Sequence, residues 1–333
     1  MFQIENQTPL ATALSLFTDK RGASLASVAV KGTFDIHGTG ALNVAQVQQP
    51  VFLKDVHYGD PADSSLKYPC ELVMNKRATD VGLVGHAHSP TGKPVNQLDA
   101  SLRVGHLRKA VRVFGDRVWE AFGVSTAQPF TSMPLVYERC FGGAADPDGD
   151  RPVEFCETNP VGVGFKSSKS TRTRALPNIE DPLHLMSRSG DRPPVAGLGF
   201  VAPSWQPRRQ YAGTYDEKWQ NDVFPILPAD FDDRFFNCAV PPLMSDGFLQ
   251  GGEEVDLIGL CAAGPVRFRL PAIVLWLDFV WRGETTRRRA DMWTVTLEPD
   301  DGRYSVVWGA AFDVLAQPAS LRKVRVTSKW SKV

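Results

Sequence analysis

Two histidines separated by one residue are the first candidates for chemistry in this sequence. His86 and His88 are spaced so that, on a β-strand, both imidazoles would lie on one face, as a pair of metal ligands requires. The segment around them, residues 81–88, supplies no Cys, Asp or Glu at ligand spacing. We therefore interpret both histidines as structural, and a metal site is the alternative.

An acidic run further along resembles the start of a calcium-binding loop. Asp146, Asp148 and Asp150 alternate with other residues, and Glu157 stands at the twelfth position of such a loop. The loop requires a glycine at its sixth position, where this sequence has Arg151. The run therefore predicts a solvated turn in preference to a calcium site.

The remaining motifs do not form a catalytic set. A Gly-x-Ser-x-Gly nucleophile elbow is absent, and the Gly-x-Gly spacing at 162–164 stands alone. The carboxylate pairs at 232–233 and 253–254 are adjacent in sequence, which does not indicate the separation that glycoside hydrolysis needs. The basic run at 287–289 predicts a solvated hairpin or loop, and a rim for an acidic partner is the alternative. We predict a protein that is not an enzyme and needs no cofactor.

The charge balance and the apolar segments limit the kinds of partner. Lys plus Arg and Asp plus Glu both total 37, so the basic excess that supplies affinity for nucleic acid is missing. The first residues show no secretory signal, and the longest apolar stretch, 272–281, is about half of a membrane span. Neither nucleic acid nor a membrane is therefore expected as a partner.

The cysteines indicate the compartment. Their number is odd and they lie far apart, at Cys70, Cys140, Cys156, Cys238 and Cys261. Such a pattern predicts buried thiols in a reducing compartment, hence a cytoplasmic protein.

Alternation of apolar and polar residues predicts a mainly β fold with antiparallel sheets in a sandwich- or barrel-like arrangement. Val28 and Val30 would face the core while Lys31 and Thr33 face solvent, which predicts a half-buried strand. Gly115 and Asp116 offer a two-residue hairpin turn after residues 111–114, with residues 118–119 starting the return strand.

The C-terminal part alternates more strongly. Residues 266–270 predict one strand, and residues 293–297 and 304–308 predict a hairpin around a Pro-Asp-Asp-Gly turn. The stretch 273–281 is apolar on both faces, which predicts a central strand covered on both sides.

Residues 146–207 are rich in Pro, Gly and Ser and predict long loops, with mobility near 166–174. One or two short helices are expected, and Thr214 with Glu217 forms a capping box that predicts a helix through Trp219. We divide the chain into an N-terminal β half (1–165), a loop-rich connection (166–207) and a C-terminal β half (208–333), which may together be one continuous domain.

Several short segments, in this order, resemble the accessory proteins of type VI secretion, whose shared region is a domain of unknown function. Each segment alone is weak, and the resemblance depends on their number and order from the first strand to about Pro271. The segments are residues 28–34, 70–73 with Lys76, 79–81, 84–87, 113–119, 141–143, 159–162, 212–216 with Trp219, and 227–232.

The resemblance implies an adaptor or chaperone. Such proteins bind a toxic secreted effector, often one with a PAAR-type tip domain, and help to load it onto the spike trimer. The resemblance does not identify individual binding or catalytic residues in this sequence. A hydrolase on a β scaffold and a structural component of the spike or tail are the alternatives.

Aromatic and arginine side chains dominate the binding energy of protein interfaces, and one stretch is rich in both. Those residues are our candidates for contacting a partner: Trp205, Arg208, Arg209, Tyr211, Tyr215 and Trp219. The alternatives are that they pack the short helix onto the sheet, or that a partner strand adds to an open sheet edge.

Overall fold

The computed structural model describes residues 3–36, 43–120, 123–145, 153–166, 175–315 and 318–330. The predicted mainly β fold is confirmed: the strands form several sheets with mostly antiparallel pairing, and the described strands do not close into a barrel. The first strands are β1 (Gln3–Asn6), β2 (Ala11–Thr18), β3 (Ser24–Asp35), β4 (Val56–His57), β5 (Leu66–Tyr68), β6 (Asp80–Leu83), β7 (His86–His88), β8 (Gln97–Val104), β9 (Leu107–Phe114), β10 (Trp119–Glu120) and β11 (Gly123–Val124). They are followed by β12 (Ser132–Pro134), β13 (Phe141–Gly142), β14 (Val163–Gly164), β15 (Ile179–Glu180), β16 (Glu254–Ile258), β17 (Val266–Arg269), β18 (Ile273–Trp281), β19 (Glu284–Arg289), β20 (Asp291–Glu298), β21 (Arg303–Leu315) and β22 (Leu321–Trp330).

Three larger sheets carry the core. The central sheet has the order β2-β3-β21-β20-β6, the lateral sheet β15-β9-β8-β16-β17, and the terminal sheet β1-β22-β18-β19. Phe312 of the central sheet stacks on Phe279 of the terminal sheet with ring centroids 5.0 Å apart. Tyr304 of the central sheet stacks on Phe268 of the lateral sheet at 4.7 Å. The central sheet therefore packs against both of the others, and one hydrophobic cluster contains residues of all three.

The helical elements are short. The α-helix α1 spans Glu217–Asp222, and 3-10 turns lie at Tyr137–Arg139, Arg208–Tyr211, Asp233–Phe236, Pro241–Leu243, Pro299–Asp301 and Pro318–Ser320. In α1 the cap is Asp216, whose Oδ1 accepts from the Trp219 backbone N–H at 2.7 Å. The predicted capping by Thr214 is therefore wrong, because its N–H and hydroxyl both donate to the carboxylate of Asp230.

The strand β3 is buried on both faces, so the prediction of a half-buried strand is wrong. Lys31 and Thr33 are each 1% exposed. The Lys31 ammonium donates to Glu71 at 2.7 Å and lies 3.8 Å from the centroid of the Phe52 ring. Residues 51–73 thus cover the face that alternation assigned to solvent, and an ion pair compensates for burying the charge there.

The hairpin predicted at Gly115–Asp116 is also wrong. β9 pairs with β8 and β15, while β10 pairs with β11. The β8–β9 turn lies instead at Gly105, where φ is +57°. Gly115 is required for a different reason, because a Cβ there would lie 1.7 Å from the carbonyl oxygen of Gln128.

Of the predictions for the C-terminal strands, the hairpin is confirmed and the central strand is corrected. β20 and β21 form the predicted hairpin, with Val295 opposite Val306 and Gly302 closing the turn at φ +65°. β18 lies inside the terminal sheet, but its faces differ, since residues from Ile273 to Phe279 are buried on one face while Val274 and Trp276 on the other are half-buried. The expectation of a strand covered on both sides is therefore corrected.

The loop-rich middle contains only two-residue strands in its described parts. Residues 167–174, where mobility was predicted, lie outside the described residues. The division of the chain at residues 165 and 208 stays a prediction. The central sheet draws β2, β3 and β6 from one side of that division and β20 and β21 from the other.

Candidate functional site

Residues 205–236, called here the aromatic segment, contain no strand and are positioned by individual hydrogen bonds. Arg208 is a buried anchor, since its Nη1 donates to the carbonyl of Val201 at 2.7 Å and its Nε to that of Phe235 at 3.0 Å. Trp205 is 5% exposed and meets Tyr137 edge-on with centroids 5.5 Å apart. These two candidate residues therefore attach the segment to the core.

The next part of the segment is open to solvent. Tyr215 is 51% exposed and Phe224 is 67% exposed. Both contact half-buried Trp219 edge-on, with centroid distances of 4.7 Å and 5.6 Å. The Trp219 indole N–H donates to the carbonyl of Ile226 at 2.8 Å. Tyr215, Trp219 and Phe224 thus form an exposed aromatic ridge whose central ring is fixed in place.

The other two candidates flank this ridge. Arg209 is exposed, and Tyr211 is half-buried beneath the Arg234 guanidinium, 4.3 Å from the ring centroid. The six candidates were grouped because they are close in sequence, and that closeness could not separate the buried Trp205 and Arg208 from the more exposed residues. It also missed Phe224, for which a phenylalanine within a polar, acidic stretch was an available signal.

The part of the segment that carries the ridge is rich in carboxylates. Residues 214–236 contain six acidic residues and two basic ones. Hydrogen bonds from the backbone N–H and hydroxyl of Thr214 lower the pKa of Asp230. The Arg234 side chain and backbone N–H lower the pKa of Asp232 to about 2. Both carboxylates are therefore charged at neutral pH, and the segment carries an excess of negative charge that Lys20 and Arg77 from other parts of the chain offset in part.

A cavity of about 370 Å³ lies beside the aromatic segment. Apolar residues and charged residues of both signs line it: Asp19, Lys20, Arg21, Leu25, Met74, Asn75, Leu227, Phe231 and Asp233. The Lys20 ammonium donates to the carbonyl of Phe231 at 2.9 Å, which ties the β2–β3 turn to the segment. A cavity of this size can receive one or two side chains of a bound chain.

The histidine pair lies elsewhere, on β7. Nδ1 of His86 is 2.7 Å from Oδ2 of Asp300, and Nε2 of His88 is 2.7 Å from Oδ1 of the same carboxylate. Asp300 is more than 200 residues away in sequence, which is why local spacing did not reveal it. Across the described ranges, no three His, Cys, Asp or Glu side chains are arranged to hold a metal ion.

The remaining sequence candidates have structural contacts or lie outside the structure. Asp146, Asp148 and Asp150 are outside the described residues, while Glu157 is exposed. Glu254 pairs with Arg103 and Arg269 across the lateral sheet. Cys140, Cys238 and Cys261 are buried as predicted, but Cys70 and Cys156 are only half-buried.

A family model described as an uncharacterized protein conserved in bacteria (DUF2169) matches residues 21–309. The chain belongs to this family. The match includes the aromatic segment and the whole lateral sheet, but it leaves out β1, β2, β22 and the end of β21. A search of curated proteins gave no match, and neither did a search of solved structures. None of the helices in the described ranges is long and apolar enough to cross a membrane.

Proposed function

We propose that this protein is a non-enzymatic adaptor that binds another protein through the exposed aromatic ridge. The observation that carries the proposal is the ridge itself. Two large aromatic side chains stand more than half exposed, yet both pack against an indole fixed by a hydrogen bond. Binding through such preorganised rings loses little side-chain entropy, so they are effective anchors for a partner.

The partner we propose is a secreted effector of a type VI secretion system, bound in the bacterial cytoplasm. The support is the ordered set of sequence motifs described above, which resemble the accessory proteins of that system. The PAAR-type or N-terminal region of the effector would occupy the ridge, and the adaptor would help to load it onto the spike trimer. The excess of negative charge in the aromatic segment favours an effector surface that is basic as well as apolar.

Co-expression with the effector encoded beside this protein tests the proposal. We expect a stable complex on size exclusion with the unaltered chain, and loss of that complex with the double variant Tyr215→Ser/Phe224→Ser. Phe155→Ser is the matched control, because Phe155 is also an exposed phenylalanine, at 43%, and lies outside the aromatic segment. Separate elution of the two unaltered proteins, with the effector equally soluble and secreted alone, would refute the adaptor role. Equal binding by all variants would refute the ridge as its site.

A further inference from the structure

The outer face of the terminal sheet is rich in cationic side chains. Strand register defines this face: Leu277 and Val326 are opposed and fully buried, so they mark the inner side. Trp276, one residue earlier, is opposed to Thr327 on one side and to Arg289 on the other. Alternation then places every second residue of the sheet on the outer side.

Two rows of cations run along this outer face. Asp278 is opposed to Arg287 on one side and Arg325 on the other, and Val274 is opposed to Lys329. The outer-face cations are Arg287 and Arg289 on β19, and Lys323, Arg325 and Lys329 on β22. Such a concentration of positive charge is local, because the whole chain has a formal net charge of zero.

Among the described residues that strand register places on this face, two are carboxylates, while Asp291 of the next strand along the chain lies near Arg289. Asp278 accepts from Arg287 at 2.7 and 2.9 Å, and Glu5 accepts from Lys323 at 2.8 Å and Arg325 at 3.1 Å. Hydrogen bonds from Lys323 and Arg325 lower the pKa of Glu5 to about 2, so it is ionised at neutral pH. Five cations against two carboxylates leave a net charge of +3 on the face. Arg289 and Lys329 are exposed and contact neither carboxylate.

Between the two cationic rows lies an apolar strip of β18 that is interrupted by the buried carboxylate of Asp278. Val274, Trp276 and Val280 project outward from β18 and are half-buried. The guanidinium of Arg287 lies 5.8 Å from the centroid of the Trp276 ring, so the neighbouring side chains cover the strip only in part. The face thus offers apolar contact at its centre and positive charge on both sides.

We propose that this face is a second docking surface, which binds an acidic segment of a partner protein. The positive charge of the face favours a polyanion as its ligand. The apolar strip favours a polypeptide among polyanions, because apolar side chains between the acidic ones would cover Trp276. A nucleic acid backbone would meet the cations but leave the strip uncovered. This surface has an excess of positive charge and the aromatic segment has an excess of negative charge, so we expect the two surfaces to bind different partners.

Fluorescence anisotropy with a labelled Glu-rich peptide containing interspersed Leu tests the proposal. We expect the unaltered protein to bind it in a salt-dependent manner, and Arg289→Glu/Lys329→Glu to bind roughly tenfold or more weakly, since two charges are reversed. Arg108→Glu/Arg188→Glu is the matched control, because both arginines are exposed and lie outside the terminal sheet. Tyr215→Ser/Phe224→Ser should bind the peptide normally, which separates this surface from the ridge.

Duplex DNA and phosphatidylglycerol vesicles serve as competing probes. No binding of the peptide by the unaltered protein would overturn the proposal, as would equal loss in the control variant. Stronger binding of DNA or vesicles than of the peptide, abolished by the Arg289 and Lys329 changes, would assign the face to that ligand instead. Thermal melts that coincide for all variants would show that the effects arise from binding and not from unfolding.

Discussion

The central sheet and the aromatic segment position their residues in different ways. In the sheet, β3 is paired along its length with β21 on one side and β2 on the other, and even Lys31 is almost fully buried. In the segment, single hydrogen bonds from Arg208 and Trp219 fix an otherwise irregular chain. Buried polar groups of the sheet therefore contribute to the free energy of unfolding. Removing the exposed rings of the segment should change that free energy little.

The buried carboxylate of Asp80 provides the strongest test of this difference. It accepts from the Lys76 ammonium and from the backbone N–H groups of Cys238 and Ala239 at 3.0 and 3.1 Å. Asp80→Ala would leave the buried Lys76 ammonium without a counter-charge, with the Thr294 hydroxyl as its remaining oxygen acceptor, and two backbone N–H groups without this carboxylate. We expect a loss of about 3–5 kcal/mol in the free energy of unfolding, measured by urea denaturation.

Asp35→Ala is the control for that experiment, because Asp35 is exposed at the end of β3 in the same sheet. Its effect should stay within about 0.5 kcal/mol. A similar loss for both variants would mean that burial does not distinguish these two carboxylates.

Two phenylalanines within the aromatic segment sharpen the comparison. Phe231 is 4% exposed and packs against Phe235 and Phe236 with centroids 5.7 and 5.5 Å apart, whereas Phe224 is 67% exposed. Phe231→Ala should lower the free energy of unfolding by about 3 kcal/mol. Phe224→Ala should lower it by less than about 0.5 kcal/mol. Chemical denaturation of both variants measures this, and equal losses would show that Phe224 supports the fold.

The smallest expected effect is on the acid sensitivity of the segment. The pKa of Asp232 falls from 3.8 to about 2 on folding, chiefly because Arg234 donates to its carboxylate. A lowered pKa stabilises the folded state above pH 3.8, and this contribution is lost as the pH falls towards 2. The difference in Tm between the unaltered protein and Asp232→Asn should therefore shrink over that interval. The corresponding difference for Asp35→Asn serves as the reference, and a Tm difference for Asp232→Asn that stayed constant with pH would contradict this linkage.

Regular alternation predicted individual strands well, whereas the hairpin at Gly115–Asp116, the helix cap at Thr214 and the long-range contacts were predicted poorly. Alternation located β17 and the β20–β21 hairpin, because side chains on one strand report directly which face is buried. It misassigned Lys31, because the chain that covers that residue comes from around Glu71. It also missed Asp300 beside the two histidines for the same reason. At the candidate site, composition located the aromatic segment, but burial of Trp205 depends on Tyr137, which local spacing cannot reveal.

The pairing of the first strands with the last ones affects how the chain folds as it is synthesised. β1 pairs with β22 and β3 pairs with β21, so the contact of Glu5 with Lys323 spans 318 residues. On the ribosome, β1 and β3 emerge long before their partners β22 and β21 have been synthesised. Closing such distant contacts is slow, and unpaired strands aggregate readily in the interval. A chain that ends before β20 would lack β21 and β22, which pair with β3 in the central sheet and with β1 in the terminal sheet. We therefore expect such a chain to accumulate in inclusion bodies.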